Sequence, residues 1–521
     1  MKNIVIVGGG TAGWLTALMV KKKMPNFNIF LIESEEIGIL GAGEGTTPNF
    51  ISIMDWLGIP LTELIEKTGC TIKNGIKFTN WTSDKDYYYH NFGSSLQLIS
   101  PNIRNSFDQT FNQNSLYYSM TAHHRIKKSE SDYSSMINEN NKVPFVYVKD
   151  RETNNLIYNY DQLAHFAIHF DAKKIANFLK EVAISRGINR IEGKVVSFNE
   201  DKNKNICSIK LEDLSIIDSD FIFDCSGFSR ILIGGKLKAK WKDLSKKLTT
   251  NAAIPFFLQK EKIETLPPYT ESIAMDYGWI WKIPLQDRYG CGYVYNSRLI
   301  SYEHAKKELD NYLGFSVESP KCFSFTPGYY KTPWIKNCIA VGLSSGFLEP
   351  LEATSIWTSI YFLEILLSDT SQLFDTSEDV RNYYNSRFCE WFEQTSDFIF
   401  LHYMGKKNNT KFWKHYNDIK NTPKSIKEVF KRWDFLVPTF NEFGSLTNDR
   451  GFSLQNWFDV CYGLNLLNLE KIDMAFKFNN WDAHNYLFIS TKNNQKYFAN
   501  ISTNHGDFIK NLGGYSQTGV Q

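Results

Sequence analysis

Eight cysteines are scattered through 521 residues without one C-x-x-C pair or a regular spacing. That excludes a disulfide framework and the common thiolate metal sites, and it points to a reducing, cytoplasmic setting with no metal. Charge of one sign is equally scarce: 58 Lys and Arg stand against 56 Asp and Glu, a formal net charge of +2. A nucleic-acid binder would carry a basic excess, so no such partner is expected. Long apolar runs are missing too. The most apolar late stretch, "IWTSIYFLEILL", is too short to span a bilayer and carries Glu364, so no membrane partner is expected. "MKNIVIVGGG" runs straight into a glycine-rich turn and reads as a chain without a secretory leader. Internal repeats and low-complexity linkers do not occur.

What is present is a large apolar fraction, 42%, and an aromatic share of 15%, which suits a protein that sandwiches flat ligands or has a Phe- and Tyr-rich core. The N-terminus reads strand, turn, helix, strand: "NIVIV" (3–7), "GGGTAG" (8–13), "WLTALMVKKKM", then "FNIFLIES" (27–34). Gly8, Gly10 and Gly13 form G-x-G-x-x-G between strand and helix, with Thr11 and Ala12 inside it. Small residues there let backbone approach a pyrophosphate at a helix N-terminus. Glu33 ends the second strand 20 residues after Gly13 (33 − 13), where an acid binds a ribose hydroxyl. "DCSG" (224–227) and "AVGLSSGF" (340–347), with Gly342 and Leu343, end two further strands in small residues, as a flavin dinucleotide needs. A second G-x-G-x-x-G for NADPH does not occur, so the flavin is expected to be reduced elsewhere. The fold class is α/β (α+β), a Rossmann-type FAD-binding domain.

Two further stretches carry chemistry. In "GWIWKIP" (278–284), strand alternation points Trp279 and Trp281 one way and Ile280 and Lys282 the other, with Pro284 ending the strand. The indoles are either core or a wall between two molecules. In "GFLEPLEATSIW" (346–357), Pro350 and the helical pattern set Glu352, Ala353, Thr354 and Ser355 around a helix N-terminus. Free N–H groups there hold an anion; alternatively Glu352 is a first-turn acid that satisfies the helix dipole. Beyond residue 370 the pattern turns helical and aromatic-rich.

Together with "GAGEGTTP" (41–48), "KNGIKFTNW" (73–81), "HFDA" (169–172), "SIAMDYGWIWKIP" (272–284), "GLSSGFLEPLEAT" (342–354) and "LHY" (401–403), these stretches resemble the flavin-dependent halogenases of the tryptophan-halogenase type. The likeness runs from residue 1 to about 415 and weakens afterwards. The Lys-, Asn- and Ile-rich wording fits an AT-rich genome, and a viral source is what the resemblance implies. The resemblance implies a Rossmann domain of the flavin monooxygenase kind with an added, mainly helical substrate module: residues 1–370, with a substrate-side insertion around 80–165, then 371–521. It implies FAD, delivered as FADH2 by a separate flavin reductase, together with O2 and a halide ion. Hypohalous acid then forms and travels to a small aromatic substrate at a separate site.

Residue by residue, the resemblance makes Lys73 and Glu352 the catalytic pair, with Lys77 and Glu349 as the competing lysine and acid. Strand alternation puts Lys73 and Lys77 on the same face, so the pattern does not separate them. Trp279, Trp281 and Pro284 become the barrier between flavin and substrate. Backbone N–H groups of Thr354 and Ser355 become the halide site. Here the sequence departs from the family's S-T-G after the glutamate, having Ala353, Thr354 and Ser355. His90, Phe92 and Trp457 become the aromatic sandwich. The tyrosine pair and acid that bind the amino-acid head group in tryptophan-specific members have no counterpart in "GSLTNDRGFSLQNW". A substrate other than free tryptophan is therefore expected, with bromide and iodide favoured over chloride; a homo-oligomer is compatible with this. The rivals are a single-component flavin hydroxylase and a non-catalytic flavin-binding protein.

Overall fold

Near-continuous Val, Ile and Phe in "NIVIV", "NIFLIE" and "FIFD" call for strands covered on both faces, and that is where they lie. The computed structural model describes residues 2–36, 43–83, 86–93, 113–149, 156–159, 163–259, 262–318, 322–375, 377–405, 407–438, 451–478 and 485–515. Gly41 and Ala42 of "GAGEGTTP", parts of the 80–165 insertion and the "GSLTNDR" stretch lie outside them. The chain forms two compact units. The first comprises 1–70, 170–251 and 324–393; the second comprises 71–169, 252–323 and 394–521.

In the first unit a six-stranded sheet runs in the order Asn189–Glu192, Asn28–Glu33, Asn3–Val7, Phe221–Asp224, Cys338–Ala340, Trp334–Ile335. All neighbours pair in parallel except the last, which pairs antiparallel. The helix Thr11–Lys23 buries Trp14, Leu15 and Leu18 and ends on three lysines, which complement the negative end of its dipole. Asp171 caps the helix Ala172–Ser185 by accepting from the N–H groups of Lys173 and Lys174.

The second unit is built on a sheet whose strands include, in order, Ala252–Gln259, Arg288–Tyr295, Gly278–Pro284, Tyr269–Ala274, Gly75–Thr79 and Tyr87–Asn91. These pair antiparallel, apart from the parallel match of Tyr269–Ala274 with Gly75–Thr79. Ile280 packs with Phe256, Tyr293 and Tyr295 in the hydrophobic core of this sheet, and the two tryptophans of the strand do not belong to that cluster. Alternation has therefore sent the indoles to the other face. They meet edge to face at 6.5 Å and 61°, not stacked, because two steps along a strand span roughly 6.6 Å. From residue 378 onward the described residues are chiefly helices, beginning with Glu378–His402.

All eight cysteines are free. Among the described residues no helix is long and apolar enough to cross a membrane.

Candidate functional site

In the first unit the glycine turn is a cradle that side chains would fill. Gly8 has φ +116°, and a Cβ there would sit 2.2 Å from the Cys225 carbonyl oxygen. A Cβ on Gly13 would sit 1.9 Å from the Gly8 carbonyl oxygen, so glycine is what allows helix and strand to touch. Gly10 caps the helix Thr11–Lys23 with extended backbone and no capping side chain, and the space beside it is open to 4 Å. Gly342, at φ +69°, brings the Gly342–Leu343 turn against Ala12. Glu33 stands beside Gly9, with Oε1 taken by Arg190 Nε at 2.6 Å and Lys180 Nζ at 3.7 Å. Free N–H groups, an open approach and an acid one strand away are the donor set that a dinucleotide pyrophosphate and its ribose require. These residues fit FAD. The neighbouring Asp224 serves the fold instead: its carboxylate accepts from Ser226, Leu232 and Ile233 and ties down the loop after its strand.

Glu44, in the same unit, carries a displaced proton. Burial first, and the Asp171 carboxylate second, raise it from 4.5 to about 7. The folded chain thus holds a proton that the unfolded chain releases above 4.5. The stabilisation is full below that value and is lost as pH rises through about 7. Glu44→Gln should therefore raise the melting temperature at pH 8 and leave it unchanged at pH 4. A variant that melts like the parent at both values would contradict this assignment.

The acids of "LEPLEAT" separate clearly. Glu349 is buried and accepts a hydrogen bond from the Thr250 hydroxyl at 2.5 Å, a fixed structural partner. Glu352 lies in a short 3-10 turn, Leu351–Ala353, before the helix Thr354–Ser368. It precedes the first turn of that helix and does not lie within it. Glu352 and Ala353 both take left-handed backbone, φ +66° and +53°, where residues with a Cβ are strained. Ala353 provides no capping side chain, so the first N–H groups of the helix, from Thr354 and Ser355, have no such partner.

In the second unit Lys73 and Lys77 part company. Lys73 ends the strand Thr71–Lys73, is fully buried and holds its Nζ 5.2 Å from the centre of the Phe92 ring. Lys77 belongs to the next strand, Gly75–Thr79, is half-buried and lies 4.1 Å over Tyr87. The expected shared face does not arise, because Asn74 breaks the run. The motif's Trp81 is a core anchor, its Nε1–H donating to the Ser272 carbonyl at 2.9 Å. On the strand Gly278–Pro284, Trp281 lies across Gly292, where a Cβ would sit 2.0 Å from the ring. The buried Trp279 N–H has no hydrogen-bond partner among the described residues.

His90 is buried, and its Nε2 lies 2.9 Å from Asn456 Nδ2, on the helix that carries Trp457. Its ring packs 5.4 Å from Phe398, which lies 5.8 Å from Trp457. The sequence reading missed three members of this aromatic nest, Phe398, His402 and Phe452. Phe398 and His402 recur at helical spacing, the second inside "LHY" itself, a signal that could have found them.

Comparison with known proteins shows the family of the chain and its fold. Residues 3–478 match the family described as tryptophan halogenase. The tryptophan 7-halogenase RebH of Lentzea aerocolonigenes is 31% identical over 442 residues, covering 80% of this chain and 79% of that protein. The tryptophan 6-halogenase ThaL of Streptomyces albogriseolus is 29% identical over 84% of this chain and 83% of that protein. The crystal structure of a tryptophan halogenase from Shewanella frigidimarina shares the fold at a TM-score of 0.86, with 24% identity, covering 99% of this chain and 98% of that one.

Proposed function

The chain belongs to the tryptophan halogenase family, and from that premise we propose that it halogenates an aromatic substrate other than strictly free tryptophan, with bromide and iodide favoured over chloride. Enzymes of this family are flavin-dependent, take FADH2 from a separate flavin reductase and act on aromatic rings. When bound, the reduced flavin supplies two electrons to dioxygen, so that FADH2, O2, halide and one proton become FAD, hypohalous acid and water.

The observation that carries the reading is the fully buried Lys73 beside Phe92. An ammonium is costly to bury and is retained where it acts on something. Lys73 donates a hydrogen bond to the oxygen of hypohalous acid and polarises its bond to the halogen. Glu352 accepts the ring proton after the halogen adds, which leaves the halogenated arene and water. Trp279, Trp281 and Pro284 form the barrier that keeps substrate from the flavin. His90, Phe92 and Trp457 hold the substrate ring, with the helical stretch 371–521 as substrate module. The N–H groups of Thr354 and Ser355 receive the halide.

The test is an aromatic panel with reduced flavin, each halide in turn and catalase present. The expected result is product whose mass rises with the halide supplied. Hydroxylated product without halide would replace this reading with a hydroxylase, and no product with intact flavin binding would leave a binding protein.

Halide preference should follow from Ser355. A glycine-free helix start restricts the space and backbone freedom around the anion, and the heavier halides are more weakly hydrated and more readily oxidised. Turnover with bromide and iodide should exceed turnover with chloride at equal concentration, and Ser355→Gly should gain chlorination. Equal turnover on chloride and bromide would end this argument.

A further inference from the structure

Two buried imidazoles flank the strand that carries Lys73, and the chemistry above uses neither. His169 stands opposite Thr71 in the antiparallel pairing of Thr71–Lys73 with Ala167–His169. The Thr71 hydroxyl lies 2.6 Å from the Pro284 carbonyl, to which it must donate, since a carbonyl only accepts. With that hydrogen committed, Thr71 Oγ1 can only accept from His169 Nδ1–H at 3.2 Å. A neutral His169 then accepts the Thr270 hydroxyl proton at its Nε2, 2.9 Å from Thr270 Oγ1. His505 is constrained more tightly still. Its Nδ1 faces the Leu266 carbonyl at 3.1 Å and its Nε2 takes the Ile72 N–H at 3.0 Å. His505 therefore needs one donor and one acceptor nitrogen, which is the neutral form, and the same form satisfies both partners of His169.

We propose that His169, acting through Thr71, and His505, acting through the Ile72 amide, are positioning residues that clamp the Thr71–Lys73 strand from both sides as neutral imidazoles. They fix the ammonium of Lys73 without adding a second positive charge beside it. The relay also gives Pro284 a task beyond ending its strand, because its carbonyl terminates the donor chain. Burial first, then the charge of Lys73, hold His169 well below the usual imidazole range. The stabilisation from a neutral His169 is present above the unfolded value near 6.5 and is lost as pH falls below it.

The inference rests on Lys73 as the catalytic lysine. Its test compares His169→Leu, His169→Asn, His169→Gln and Thr71→Val with the parent enzyme. One readout is hydrogen exchange in the peptide spanning residues 71–73; the other is product formed per flavin oxidised. A 1 Å misplacement costs up to about 100-fold, so His169→Leu and Thr71→Val should lose coupling at least tenfold, with faster exchange and unchanged flavin oxidation. His169→Asn can still donate to Thr71 and should recover most of the coupling and the slow exchange. His169→Gln reaches toward Thr270 instead and should not. Parent-like exchange and coupling in both His169→Leu and Thr71→Val would overturn the proposal. So would equal recovery by Asn and Gln, or loss of coupling and flavin oxidation together. If the parent enzyme halogenated nothing, the functional reading would fall, while the exchange rates would still decide on the clamp.

Discussion

Lys73→Met should lower halogenation by about 10³-fold while reduced flavin is still consumed at the parent rate. Under the proposed function the lysine acts after hypohalous acid exists, so its removal strands the oxidant without stopping its formation. Methionine matches the length of the aliphatic stem and keeps its packing. The check measures product per flavin oxidised, together with hypohalous acid caught by a 1,3-diketone trap. Trapped oxidant should rise as product falls. Parallel loss of flavin oxidation and product would assign Lys73 to the fold or to the cofactor. Lys77→Met is the internal comparison. Its ammonium lies 4.1 Å over Tyr87 in a half-buried position, so coupling should stay within about twofold of the parent.

The contrast between these lysines shows where sequence reading reached and where it stopped. Glycine spacing, strand runs and the acid 20 residues on could be read directly because their physics is local. A turn that brings a helix onto a strand tolerates nothing larger at Gly8 and Gly13. Alternation also predicted that Trp279 and Trp281 share one face of their strand, opposite Ile280. The choice between Lys73 and Lys77 depended on where one strand ends, and a single asparagine moved the boundary. His169 was quoted within "HFDA", yet its relay joins residues 98 and 101 positions away, which no local pattern encodes. His505 lies 433 residues from the amide it caps. The aromatic nest around His90 was half legible: a helix rich in Phe and His reads as core until the fold shows which ring faces which.

Backbone conformation was the least legible property, and it separates the two acids most sharply. Glu349 and Glu352 are three positions apart in the same motif, both buried, and the sequence offers no ground in energy for choosing between them. The structure does. Glu352 takes φ +66°, a conformation that costs on the order of 1–3 kcal/mol for a residue with a Cβ. Glycine would adopt it freely at an unfolded-state cost of about 0.5–1 kcal/mol, so Glu352→Gly should melt at or above the parent temperature. The same variant should lose about 10²–10⁴-fold in halogenation, the usual worth of a positioned proton acceptor, with flavin binding intact. Glu352→Gln should lose activity similarly with little change in melting. Glu349→Ala is expected to do the reverse. It strands the fully buried Thr250 hydroxyl, at about 1–3 kcal/mol, so melting temperature falls and flavin oxidation and halogenation decline together. Calorimetry beside coupled turnover decides it. A Glu352→Gly protein that melts lower and still halogenates, or a Glu349→Ala protein that keeps its stability and loses only product, would reverse the two roles. Strain at Glu352 has a plain reading under this scheme: a left-handed backbone aims a carboxylate where a relaxed helix start would not, and the fold tolerates the cost because the acid is used.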